Sequence, residues 1–193
     1  MKNESESAMS NSEPYLVAFE NEFVRIVHVN IAAGQVAPKY TPVATPMVRV
    51  DLDSGRTQYI EHLAGAKDRA DEGALREIRV ELKSAPTTAP LELDAVRIDP
   101  ARYTVDFEND RVRIVRLGFG AREKGLMVSH PPRVLVTLTA VAVKLKFSDG
   151  RTDESGAPAG IAGWLELETL QTENARHQPL QVVLVEPKSA RGF

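Results

Sequence analysis

The chain has 193 residues, 42% hydrophobic and 26% charged, with a net charge of −3 and no cysteine. This is the balance of a globular protein with one large or two small domains. It excludes disulfides, thiolate ligands and a cysteine nucleophile. The acidic balance argues against nucleic-acid or anionic-membrane binding, both of which need a basic surface, and no apolar run approaches the ~20 residues that span a bilayer.

Residues 1–13 are polar and lack an apolar signal core, which predicts a disordered tail and a cytoplasmic protein. Residues 15–31 are rich in Val, Ile and Phe, as strands are. Their alternation changes phase at Ile26-Val27, which predicts a bulge there. After the turn Ala32-Ala33-Gly34, Pro38, Pro42 and Pro46 exclude a helix interior or a central strand. Strands are expected over 47–52, 57–60 and 75–82, with a turn at Asp53-Ser54-Gly55-Arg56 and a polar loop over 61–73. SAPTTAP at 84–90 reads as a linker.

The second half predicts strands over 111–119, 133–140, 141–147, 164–170 and 181–186. Ser148-Asp149-Gly150-Arg151 matches the first-half turn. No stretch has the period of an amphipathic helix. Short strands at regular spacing with turn signals predict an all-β sandwich or barrel.

The halves also share a phrase. FENEFVRIV starts at Phe19 and FENDRVRIV at Phe107, an offset of 88 (107 − 19), with seven of nine positions identical. A repeat of this kind marks a duplicated unit.

The phrase resembles the opening of small cupins, and the likeness extends over 15–83 and 97–188. The resemblance implies two jelly-roll β-barrels (double-stranded β-helices) in tandem. The first is shorter by about 17 residues between matching anchors and is expected to lack a hairpin. The implied layout is a tail at 1–13, a shortened barrel at 14–83, a linker at 84–96 and a second barrel at 97–190.

In cupins a His-x-His pair and a third His, often with a Glu, hold one metal. Carried onto this chain, the pair falls on Tyr40 and Pro42 in the first half and on Val128 and His130 in the second. The third His falls on Gly65 and Leu170, Tyr59 takes the place of Trp164, and the Pro-x-Gly turn falls on Glu166 and Glu168. Of six expected histidines only His130 remains. Aliphatic side chains, proline and glycine offer no side-chain donor, and one imidazole does not hold a divalent ion well. No metal or other cofactor is expected.

His130, followed by Pro131-Pro132, reads either as a relic ligand or base, or as a barrel-lip histidine bonded to backbone. Glu166 and Glu168 share a face by period two. With His130 they could rebuild a carboxylate–imidazole site, or they are a solvated strand face. Arg113 and its counterpart Arg25 either bind an anion or pair with Glu20, Glu108 or a barrel-edge carboxylate, and are expected to matter less to stability than the core. No phosphate loop or nucleophile elbow is present, and Ser129 and His130, being adjacent, point to opposite faces. The expected function is a metal-free tandem cupin, monomeric or homodimeric, that binds a small molecule or serves as a structural module, with no catalytic residue. The alternative is a cupin-class isomerase or dioxygenase built on His130 with Glu166 and Glu168.

Overall fold

The computed structural model describes residues 13–62 and 73–188. The expected tail and Gly65 lie outside the described residues, apart from residue 13. In the first half β1 (Tyr15–Glu20), β2 (Val24–Ile31), β3 (Met47–Asp51), β4 (Thr57–Ile60) and β5 (Leu75–Leu82) form one sheet, ordered β1-β2-β5-β3-β4. The second half opens with a single helical turn, α1 (Ala95–Ile98), whose first turn is capped by the Asp94 carboxylate accepting from the Arg97 N–H. Then follow β6 (Tyr103–Glu108), β7 (Val112–Phe119), β8 (Lys124–His130), β9 (Arg133–Thr137) and β10 (Val141–Phe147). The chain ends through β11 (Thr152–Ala157), β12 (Ala162–Leu165), β13 (Glu168–Asn174) and β14 (Leu180–Pro187). These nine strands make two sheets, β12-β9-β14-β7-β6 and β11-β10-β13-β8, which enclose a jelly-roll interior.

The repeated phrase folds the same way twice. A bulge interrupts β1 between Val17 and Phe19 opposite Ile26 and Val27, and another interrupts β6 between Val105 and Phe107. The phase change in β2 therefore has its cause in the partner strand. The Asn21 side chain accepts from the Phe23 and Val24 N–H groups, and Asn109 accepts from those of Arg111 and Val112. Both are Asx turns that fix the bend between paired strands.

Register extends the equivalence to the whole five-stranded sheet. Arg25 pairs with Glu81 as Arg113 pairs with Glu186, and Val48 faces Tyr59 as Val134 faces Trp164. So β1-β2-β5-β3-β4 corresponds to β6-β7-β14-β9-β12. Two expectations change here. The shortening of the first half goes beyond the β10–β11 hairpin: among the described residues, β8 and β13 also have no counterpart. The turn at 53–56 is not the equivalent of 148–151. It joins β3 directly to β4, whereas 148–151 is the tip of the hairpin inserted between β9 and β12.

The segment 32–46 stands where β8 stands in the second half and remains coil. Three prolines deprive it of N–H donors, so it cannot carry a ladder.

The two five-stranded sheets pack face to face through equivalent residues. Val24 and Ile26 join Val112 and Ile114, and Val48, Val50, Ile78 and Val80 join their counterparts Val134, Val136, Val183 and Val185, all 0% exposed. Phe23 stacks on Trp164 at 5.5 Å and Tyr59 on Phe107 at 5.0 Å across the same contact. Such a self-complementary patch is what pseudo-twofold packing produces. A second cluster, including Val115, Leu117, Val128, Val143, Val182 and Leu184, lines the jelly-roll interior. Strand β7 serves both: even positions at its start face the other half and odd positions face the interior.

Candidate functional site

Between the two sheets of the second half lies a cavity of about 370 Å³. Most of its wall is apolar, including Leu117, Leu135, Val143, Leu145, Val182 and Leu184. One group of lining residues is polar. His130 ends β8, the two prolines turn the chain, Arg133 starts β9, and Glu168 starts β13 directly opposite His130. Arg133 donates to Glu168 Oε1 at 2.7 Å, and to the Pro131 and Glu166 carbonyls at 3.2 Å each. Tyr103, from β6, brings its hydroxyl to 3.4 Å from His130 Nε2, with the rings tilted and 5.4 Å apart.

His130 and Arg133 are only 3% and 4% exposed. Burial, with the Arg133 and Arg113 guanidiniums nearby, holds the imidazole well below its usual pKa, so it is neutral. Burial pushes the Tyr103 phenol up. Among the described residues, His130 Nδ1 and Arg133 Nε have no hydrogen-bond partner.

Behind this group α1 and Asp94 close the barrel end. Arg113 donates to Glu186 Oε2 and Asp94 Oδ2, both at 2.6 Å. Glu186 is buried, which raises its pKa, while the Arg113 guanidinium opposes the shift. Arg113 thus pairs with a barrel-edge carboxylate. Its counterpart Arg25 lies 3.7 Å from Glu20 and 3.9 Å from Glu81. Glu108 is taken by Lys188 at 2.8 Å.

The sequence-predicted site is brought together in part. His130 and Glu168 face one another, but Glu166 does not join them. The strand breaks between β12 and β13, and Glu166 is exposed, accepting from Trp164 Nε1 at 2.7 Å. Period two does not hold across residues 166–167, because no single strand runs through them. Arg133 and Tyr103 were missed. The repeat could have flagged Tyr103, since Tyr15 is its counterpart and meets Tyr40 at 4.9 Å much as Tyr103 meets His130.

The positions that hold metal in cupins do not fit a metal here. Val128 and Leu170 pair across β8 and β13, 1% and 3% exposed, and have no donor. His130 sits beside a guanidinium, which repels a second cation. In the first half the Tyr40 hydroxyl donates to Glu81, and Arg79 lies 4.6 Å from its ring centre. Pro42 has no donor. Among the described residues no three His, Cys, Asp or Glu side chains group as a metal site requires. No helix of the described residues is long and apolar enough to cross a membrane.

Two sheets of antiparallel strands closing on one interior define the jelly-roll class of all-β proteins. With the repeated opening phrase, the arrangement resembles that of cupins. Solved structures similar to the chain include two described as cupin proteins. A cupin domain from Bordetella pertussis is 21% identical, with a TM-score of 0.42, over 45% of this chain and 92% of that one. A cupin 2 conserved barrel domain protein from Leptotrichia buccalis is 10% identical, with a TM-score of 0.48, over 90% and 88%. Oxalate decarboxylase from Bacillus subtilis is 9% identical, with a TM-score of 0.47, over 87% and 70%. No family model matches the sequence, and no curated protein matches it.

Proposed function

We propose that this protein is a bicupin whose metal positions have degenerated, and that its second barrel binds a small molecule in the space between the sheets. The cavity of about 370 Å³ carries this reading. It falls within the ~300–1,000 Å³ of ordinary ligand pockets, and its apolar wall with a few polar groups is their usual chemistry. The ligand's apolar body packs against Leu135, Val143 and Leu184, and its polar part meets His130 and Arg133. The first half is a structural layer backing the barrel. No residue is assigned a catalytic role.

The test uses the full chain with methyl-labelled Leu and Val, titrated with cumene as an apolar probe. Saturable shifts at Leu135, Val143 and Leu184, lost in Leu135→Trp or Val143→Phe, support the proposal. The filling variants must keep the wild-type circular dichroism spectrum. Absent shifts, or shifts that survive filling, overturn it.

A further inference from the structure

The polar end of the cavity has a particular hydrogen-bond deficit. Tyr103 directs its hydroxyl toward His130 Nε2, and a phenol donates more readily than it accepts. Nε2 is then the acceptor of a neutral ring, and Nδ1 carries the proton. His130 Nδ1 and Arg133 Nε are both donors, both buried, and both without a partner among the described residues. A buried donor left unpaired is costly. Two of them on residues that line one cavity mark a place for an acceptor.

The charge around them selects the acceptor. Arg133 is paired with Glu168, and Arg113 with Glu186 and Asp94, so two guanidiniums face three carboxylates. An anionic head would enter a site whose cations are already neutralised. An uncharged acceptor meets no such opposition, and a carbonyl oxygen has two lone pairs for two donors.

Building on the reading of this cavity as a ligand site, we infer that its ligand is an uncharged carbonyl compound. A ketone, ester, lactone or amide oxygen accepts from His130 Nδ1–H and Arg133 Nε–H, and an apolar body fills the aliphatic part.

Acetophenone, cumene and benzoate share a ring and differ little in size, and they separate the possibilities. The measured quantity is each probe's Kd, by methyl shifts at Leu135, Val143 and Leu184, in wild type and in His130→Phe. Dividing the acetophenone affinity by the cumene affinity within each protein, then comparing proteins, cancels the difference in hydration of the probes. The ratio should fall about tenfold in His130→Phe, the size of one lost hydrogen bond to a buried donor. Benzoate should bind wild type at least about tenfold more weakly than acetophenone.

An unchanged ratio means that water or protein already satisfies these donors. Tighter binding of benzoate means an anion site. Either result overturns this inference while leaving cumene binding, and the proposed function, intact. If no probe binds, both fall. Arg133→Met repeats the comparison should His130→Phe not fold, and the wild-type ranking needs no variant.

Discussion

The face that β5 turns away from the central contact and the face that β14 turns into the barrel occupy equivalent positions in the two halves; both end in a buried glutamate, and the other two positions are filled in opposite ways. On β14 the residues are Val182, Leu184 and Glu186; on β5 they are Glu77, Arg79 and Glu81. Leu135 on β9 likewise answers to Arg49 on β3. All three β5 residues are buried, at 3%, 0% and 0% exposed. The difference follows from what covers each face. The barrel's second sheet spends its backbone groups within its own ladders, so the surface beneath it can be aliphatic. The coil at 32–46 forms no ladder, so those of its remaining N–H groups that are buried must be met one by one. Glu81 meets them, accepting from the Val43 and Ala44 N–H groups at 2.9 and 3.2 Å and from the Tyr40 hydroxyl. Glu77 then holds Arg49 and Arg79, each at 2.6 Å. Replacing a sheet by a coil turns a dry face into a network of charges.

Exchanging residues between the two faces is the strongest way to break that contrast. Leu184→Arg, which installs the first half's residue in the barrel, should cost about 5 kcal/mol or more, because a guanidinium enters an apolar wall without a counter-ion. Chemical denaturation measures it. A loss near 1 kcal/mol would mean that the barrel face tolerates charge as the first half does.

The halves should behave alike only where they touch. Ile114→Ala and its counterpart Ile26→Ala should each cost about 3 kcal/mol, both being fully buried in the shared cluster. Costs that differ by more than about 2 kcal/mol would break the equivalence of the two surfaces.

At the position of Arg133 the first half has Met47, which asks for no counter-ion. Glu168→Ala should therefore cost about 2 kcal/mol by stranding a buried guanidinium. Glu166→Ala, on an exposed side chain, should stay within about 0.5 kcal/mol. Equal losses in urea melts would restore the continuous-strand reading of the two glutamates.

A further difference lies in acid. The His130 pKa is lower in the folded than in the unfolded state, so below the unfolded value of 6.5 the unfolded chain binds more protons. Stability should drop as pH falls from 7 toward 5, with a slope approaching about 1.4 kcal/mol per pH unit. His130→Gln should remove that part of the slope. Glu186, raised by burial, acts in the opposite sense at lower pH, and His28, lowered by burial, acts in the same sense. Both remain in the variant, so the difference between the two profiles belongs to His130. Identical profiles would mean that its imidazole titrates freely.

Much of this was legible in the residues. The phrase at Phe19 and Phe107 carried the bulges, the Asx turns and the buried pairs Val24/Val112 and Ile26/Ile114, because those depend on neighbours within one hairpin. Tyr59 standing for Trp164 was also legible, by counting back from Glu81. What stayed hidden depends on distant partners. A shortage of about 17 residues does not distinguish a missing hairpin from a missing layer, since the coil at 32–46 is as long as a strand with its turns. Glu166 and Glu168 alternate correctly, yet a break after Leu165 separates them. Arg113 pairing with a barrel-edge carboxylate was legible, but which carboxylate was not, because Glu186 lies 73 residues away on a strand brought alongside by the fold.

The contact between the two five-stranded sheets has a further consequence. Where such faces belong to separate subunits, their association follows mass action and weakens on dilution. Here one covalent chain holds both faces, so each meets the other at an effective concentration fixed by the linker rather than by the solution. The protein keeps this contact at any abundance.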